Sequence, residues 1–325
     1  MIFEAAQKKT SSLIAQHTHT TPTVILGLSG GPDSVFLYHV LRQLHEQKIL
    51  HLIAAHLDHG WRANSADDAL FCKNLCTEHA ITFVSAQAKE FSPTKKYNGS
   101  LEEHGRIMRR LFFEQTLQQH NAHFIALAHH LDDQEETFFI RLIRGTTLQG
   151  LHGMDPVDGI YIRPLLDYKK TEILKYLEQH KLAYVIDPSN ESEKFLRNSI
   201  RKNVIPALRS CDNRFDENFS HSVAMLKAED AFLAKLTQQT FDQIFVLNQE
   251  TKHHVGNLQL FKQQDAVLQQ RIVLAWLIHA RAPLTPSSNL VAEILRFLSN
   301  PHGGSHRIGT TVTLHKKQQS FWIEL

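Results

Sequence analysis

Val24-Ile25-Leu26-Gly27-Leu28-Ser29-Gly30-Gly31-Pro32-Asp33-Ser34 runs from a continuous apolar segment into a glycine-rich turn. Val35, Phe36, Leu37, Val40, Leu41 and Leu44 then recur at helical spacing. A strand, a tight turn and a helix are therefore expected in that order. Paired glycines let the backbone approach a ligand closely, and the N–H groups and dipole at a helix start favour an anion. Asp33 would repel a phosphate unless a divalent cation lay between them, so Mg²⁺ is inferred. No Gly-Lys-Ser/Thr follows, so the loop is not a Walker A motif. The plainer reading of a bare Gly-Gly pair is a tight turn; the whole string Ser29 to Ser34 in this setting favours a phosphate loop.

Outward from that loop, apolar runs alternate with helical patterns. Leu52 to Leu57, Ile81 to Val84, Phe124 to Ala128 and Ile160 to Arg163 read as strands. Asp67 to His79, Leu101 to His120, Asp132 to about Arg144 and Lys169 to His180 read as helices. Such alternation implies βαβ units and an open parallel sheet with helices on both faces. Gly145 to Gly159 is read as a long loop, and Asp187-Pro188-Ser189-Asn190 as a turn. Past about Phe215 the pattern changes. Phe219, Val223, Leu226, Phe232, Leu233, Leu236, Phe241 and Ile244 mark a long amphipathic helix, with a second over Leu268 to His279. Thr311 to His315 and Phe321 to Leu325, around Lys316-Lys317-Gln318-Gln319, read as a β-hairpin. Two domains are expected, 1–212 and a smaller, mainly helical 213–325.

The 325 residues carry 35 Lys+Arg against 33 Asp+Glu, a net charge of +2. Bulk charge therefore identifies no nucleic-acid binder, and any such case rests on local clusters. Cys72, Cys76 and Cys211 are an odd set of three, which argues for a reducing compartment over a disulfide framework. The N-terminus has no signal-peptide core, and no run of about 18 apolar residues exists, so a soluble, cytoplasmic protein is expected. Most of the 22 histidines are expected at the surface or satisfied in the core.

Ala128-His129-His130-Leu131-Asp132-Asp133-Gln134-Glu135-Glu136-Thr137 leaves the fourth strand and enters a helix. Asp133 and Glu136 stand one turn apart, so their carboxylates share a face and stay ionised near a helix N-terminus. Two fixed carboxylates in a crevice suit a cationic substrate such as free lysine; an acidic first turn on a solvated helix is the ordinary alternative. Arg197 and Arg201, in Phe195-Leu196-Arg197-Asn198-Ser199-Ile200-Arg201, are four apart and share a helix face, able to hold phosphates of a nucleotide or RNA or simply to pack on the sheet.

Ser29 to Ser34 resembles the signature of the PP-loop ATPases, which cleave ATP between the α- and β-phosphates and adenylate an acceptor. The remaining motifs resemble the tRNA(Ile)-lysidine synthetases within that superfamily. Ala55-His56-Leu57-Asp58-His59-Gly60-Trp61-Arg62 looks like their adenine- and ribose-side segment, or an ordinary polar strand end. Leu101-Glu102-Glu103-His104-Gly105-Arg106-Ile107-Met108-Arg109 resembles their Glu-x-x-x-Arg-x-x-Arg helix, with Arg110 where the family has Tyr. Gly145, Gly150-Leu151-His152-Gly153-Met154, Arg163-Pro164-Leu165-Leu166 and Pro206 follow in family order. The resemblance covers roughly residues 22 to 210, and longer members carry a further C-terminal domain that this chain is expected to lack.

The resemblance implies ATP as co-substrate with Mg²⁺ on Asp33, and free lysine and the tRNA(Ile) with a CAU anticodon as partners. It implies ATP contacts from Ser29, Gly30, Gly31, Pro32, Asp33, Ser34, His56 and Asp58. Lysine or tRNA contacts would come from Arg106, Arg109, His129, Asp133, Glu136, Arg197 and Arg201, with Asp33, Asp133 and Glu136 catalytic. The oligomeric state, a homodimer included, is left open. A tRNA cytidine thiolase would need cysteines for a cluster or persulfide, and Cys72 and Cys76 read as small core residues. A glutamine-dependent amidotransferase lacks its N-terminal cysteine here. A catalytically silent RNA-binding protein sits poorly with the intact loop and both carboxylates.

Overall fold

The computed structural model describes residues 1–18, 20–60, 65–91, 101–186, 196–249, 253–309 and 311–325. Trp61, Arg62, the Asp187–Asn190 turn, Phe195 and the side chain of Glu102 lie outside the described residues. The chain divides into two compact units, Met1–Val223 and Ala224–Leu325.

In the first unit the order is α1 (Ile2–Ala15), β1 (Thr23–Gly27), α2 (Pro32–Glu46), β2 (His51–Asp58), α3 (Ser65–Glu78), β3 (Thr82–Gln87), α4 (Leu101–Gln119), β4 (Phe124–Ala126) and α5 (Leu131–Arg144). There follow α6 (Leu148–Leu151), β5 (Val157–Asp158), β6 (Tyr161–Ile162), α7 (Lys170–Gln179), α8 (Leu196–Ser199), a π-helical segment Ile200–Val204, α9 (Ile205–Cys211) and the start of α10 (Phe215–Ile244). The sheet runs β3-β2-β1-β4-β6-β5, parallel except for β5. Its central strand is apolar because both faces are covered. Val24 and Leu26 pack under α1, α2 and α7, while Ile25 faces Phe112 and Phe113 of α4. Gly27 permits that second layer: a Cβ there would stand 2.8 Å from the Phe113 ring.

Three differences from the sequence reading matter. The N-terminal stretch forms α1, burying Phe3, Ala6, Thr10 and Ile14 at helical spacing. The loop read over 145–159 contains α6 and β5, short enough to leave little periodic signal. Phe232, assigned to the apolar stripe of α10, points to solvent at 66% exposure.

The second unit holds the rest of α10, β7 (Phe245–Leu247), β8 (His254–Asn257), α11 (Leu258–Lys262), α12 (Ala266–His279), α13 (Ser288–Ser299), β9 (Gly304–Ile308), β10 (Val312–Lys317) and β11 (Ser320–Glu324). The expected hairpin is β10–β11, within a five-stranded antiparallel sheet ordered β7-β8-β11-β10-β9. Lys316 and Lys317 belong to the strand, so the turn is Gln318-Gln319 alone, with Gln318 at φ +53°. Buried Lys316 donates to the carbonyls of Phe297 and Asn300 at the end of α13, where a cation meets the negative end of the dipole. Trp276 packs edge-on to Phe321 at 4.9 Å in this core. Among the described residues no helix is long and apolar enough to cross a membrane.

Candidate active site

Parallel strand order places the site. β2 and β3 lie on one side of β1 and β4 on the other, so the chain reverses its direction of travel between β1 and β4. The loops leaving the carboxyl ends of those two strands therefore open onto one crevice. They are Leu28–Gly31, ahead of α2, and Leu127–His130, ahead of α5.

The first loop is internally tied. Ser34 Oγ donates to the Gly31 carbonyl at 2.9 Å and lies 3.0 Å from Ser29 Oγ. The Ser29 N–H donates to Ser34 Oγ at 3.2 Å. Gly30 adopts φ +84°, a left-handed conformation that glycine takes without strain. Pro32 occupies the first turn of α2, which has no side-chain cap. Among the described residues its first-turn N–H groups are thus left without a side-chain cap, the arrangement that binds anions. His56 supports the loop from β2: its Nδ1–H donates to the Leu28 carbonyl at 2.8 Å. Asp58 Oδ1 accepts from the Gly60 N–H at 2.8 Å.

Asp33 stands between two cations. Lys170, at the first position of α7, forms an ion pair with Asp33 Oδ2. His130 Nε2 lies 3.6 Å from the same oxygen. Burial works to raise the Asp33 pKa, but His130 and Lys170 outweigh it and hold the carboxyl below its usual range. Asp33 Oδ1 is buried and, among the described residues, has no hydrogen-bond partner.

His130, the N-cap of α5, is ringed by three carboxylates: Asp33, Asp132 at 3.5 Å and Asp133 at 3.5 Å. Burial disfavours its charge, yet Asp132, Asp33 and Asp133 raise its pKa to about 10, so the ring is an imidazolium at neutral pH. His129 is the opposite case: burial drives it down to about 4, and it is neutral.

Asp133 and Glu136 do share a face, and both are buried, Glu136 completely. Neither is empty-handed. Arg197 donates through Nε to Glu136 Oε2 and through an η nitrogen to Asp133 Oδ1, both at 2.6 Å. Arg201 Nε donates to Glu136 Oε1 at 2.5 Å. Asp133 Oδ2 accepts from the His130 N–H at 3.0 Å, capping α5. Burial raises the Asp133 pKa, and His130 and Arg197 reverse that and leave it lowered. Arg106 and Arg109 are exposed on α4, with Arg109 3.4 Å from His59 Nε2.

Residues 3–208 match the PP-loop domain family. The chain belongs to that family. Among similar proteins, the tRNA(Ile)-lysidine synthase of Geobacillus kaustophilus is 34% identical over 281 residues, 84% of this chain and 60% of the relative. That of Bacillus subtilis is 32% identical over 286 residues, 86% of this chain and 60% of the relative. The chain thus spans about three fifths of the length of such curated relatives. The PP-loop fold also resembles the U34-tRNA thiolase NcsA of Methanococcus maripaludis, with a TM-score of 0.57 at 20% identity over 69% of this chain and 79% of that one.

Within this PP-loop domain, sequence reasoning missed His130 and Lys170 as partners of Asp33. One signal was available: Lys169 and Lys170 open α7, where the helix dipole mildly disfavours cations, which favours an outside acid beside each. Lys169 indeed pairs with Asp216 at 2.6 Å. A second buried network was also unforeseen. Arg209 donates to Asp132 and Glu135 at 2.9 Å each and to Asp216 at 2.7 Å, joining α5, α9 and α10. Glu135 is fully buried, and burial pushes its pKa up to about 8 despite Arg209. Cys72 and Cys76 are wholly buried, their thiols pushed up to about 12 by burial.

Proposed function

We propose that this PP-loop protein ligates free lysine to C2 of the wobble cytidine in the CAU anticodon of tRNA(Ile), consuming ATP and releasing AMP and pyrophosphate. The observation that carries the reading is the joining, through His130, of Asp33 in the nucleotide loop to a buried carboxylate pair on α5. The names borne by the similar proteins agree with it.

The cytosine 2-oxygen attacks the α-phosphate of ATP, pyrophosphate departs, and the base is left as its O2-adenylate. The lysine ε-amine then attacks C2, the C–O bond breaks, and AMP leaves. The free N-terminus of α2, Lys170 and the His130 imidazolium supply positive potential where the leaving phosphates gather charge. Mg²⁺ fits beside them, because buried Asp33 Oδ1 keeps the lone pairs a hard cation takes; when bound it supplies further charge neutralisation for pyrophosphate. At pH 7 only about one lysine side chain in a few thousand is neutral. Asp133 and Glu136 are the groups to hold the ammonium and to accept its proton as the amine attacks. The target base has to leave its stack to enter the crevice, which an anticodon loop allows. Residues 213–325 serve tRNA binding and support in this reading. The test is ATP-dependent transfer of radiolabelled lysine to tRNA lacking the modification. Label transfer to tRNA(Ile) is expected, and its absence with active ATP cleavage would refute the reading.

A further inference from the structure

The carboxylate pair assigned to lysine is already filled, and by cations from the same chain. Each of its four oxygens accepts a hydrogen bond: both Glu136 oxygens and Asp133 Oδ1 from Arg197 and Arg201, and Asp133 Oδ2 from the backbone of His130. The charge of the pair is matched as well, by two guanidiniums with the His130 imidazolium 3.5 Å from Asp133 beside them. A further cation entering there would meet repulsion and would have to share oxygens that each already hold a donor. Yet the arginines are not built into the core as the carboxylates are. Their side chains are 33% and 41% exposed, against 11% for Asp133 and none for Glu136. They reach inward from α8 and from the π-helical turn Ile200–Val204, a wound form that proteins use sparingly and often near functional sites.

We infer that Arg197 and Arg201 stand in for the substrate ammonium in the resting enzyme and must be drawn off before lysine can bind. This rests on the lysine assignment proposed above. What draws them off is anionic. Guanidiniums pair with phosphate as readily as with carboxylate, in the same forked geometry. An incoming nucleotide brings several negative charges into the same crevice. Transfer of Arg197 to phosphate frees one oxygen on each of Asp133 and Glu136, since it bridges the two, and transfer of Arg201 as well frees the second Glu136 oxygen. Lysine binding is then conditional on nucleotide, and by reciprocity lysine tightens nucleotide binding by the same factor. The arrangement denies the amine a seat until the activating reagent is present.

Isothermal titration of L-lysine into the full chain tests this, with and without Mg²⁺ and a non-hydrolysable ATP analogue. For the wild type, lysine affinity is expected to rise about tenfold or more when the nucleotide is present. In Arg201→Ala and Arg197→Ala the nucleotide dependence is expected to shrink, because lysine affinity without nucleotide rises. The wild-type comparison alone needs no variant to fold. Lysine binding equally well with and without nucleotide would overturn the inference, as would variants that bind lysine no better than wild type in its absence. Lysine binding in no arm at all would remove the lysine assignment itself, and this inference with it.

Discussion

At the scale of single residues, the site is a set of charges that burial would forbid were they not matched. Asp33 is tolerable only because Lys170 and His130 flank it, and His130 only because three aspartates surround it. Under the proposed function, removing Asp33 should disable chemistry, and it also leaves Lys170 and His130 a carboxylate short, so part of the stability goes with it. Asp33→Ala is expected to lower AMP formation by about 10²–10³-fold with the thermal transition still cooperative. Near-normal AMP release by that variant would dismiss the loop assignment. Glu135 offers a separate check, because its folded pKa of about 8 exceeds its ordinary 4.5. The folded protein holds this proton where the unfolded chain has lost it, so stability falls as pH rises from about 4.5 to about 8 and then levels off. Glu135→Gln removes that contribution. The wild type is expected to lose stability relative to the variant across this window, read from urea midpoints at several pH values. A constant difference would show that Arg209 keeps Glu135 ionised.

At the scale of elements, α5 organises the site from its first two turns. His130 caps it, Asp133 closes the cap, and Gln134 turns sideways to hold the loop after α6. Gln134 donates to the Met154 carbonyl and accepts from the Met154 N–H, both at 2.7 Å, imitating a strand partner. Arg141, two turns on, donates to the carbonyls of Gly150 and Gly153 at 2.6 and 3.0 Å. Gly153 has φ +77°, and a Cβ there would fall 2.5 Å from Gln134 Oε1. The motif Gly150 to Met154 is thus a docking sequence for α5. Gln134→Ala removes both bonds to the Met154 backbone and should cost about 1–3 kcal/mol in chemical denaturation. Amide exchange should quicken over residues 150–154 before the rest of the unit. Uniform quickening would mean the loop is held by other contacts. The sequence showed α5 and its acidic first turn plainly, through the strand end before it and the carboxylates at its start. It could not show that Gln134 and Arg141 face a loop, because neither residue type announces a partner.

At the scale of the whole molecule, the first unit closes its core only beyond Ser210. Phe219 and Val223 of α10 pack with Leu131 and Phe138 of α5, and Asp216 completes the Arg209 network. A chain ending at Val223 is expected to fold and bind a nucleotide analogue with near-native affinity. One ending at Ser210 loses those partners, and its thermal midpoint should fall by several degrees. Equal stability of the two would make α10 dispensable to the site. Under the proposed function, either truncation should lose most tRNA affinity. In the full chain the logarithm of that affinity should fall linearly with log salt through phosphate contacts. Filter binding over a salt series measures it, and undiminished binding by the chain ending at Val223 would assign residues 224–325 another purpose.

What the sequence determined by itself is local. The apolar run at Val24, the glycine turn, the helical recurrence after Ser34 and the carboxylates at Asp133 and Glu136 all depend on neighbours a few residues away, and strand–helix alternation already implied the parallel sheet. What only the tertiary structure decided is who answers those charges. Lys170 meets Asp33 across 137 residues, Arg197 meets Glu136 across 61, and Arg209 meets Asp132 across 77. The order β3-β2-β1-β4 brings the ends of β1 and β4 to one crevice, and α7, α8 and α9 deliver Lys170, Arg197 and Arg209 to the acids there. A charge in the sequence constrains only the sign of its partner; burial makes the partner obligatory, and chain topology selects which one arrives.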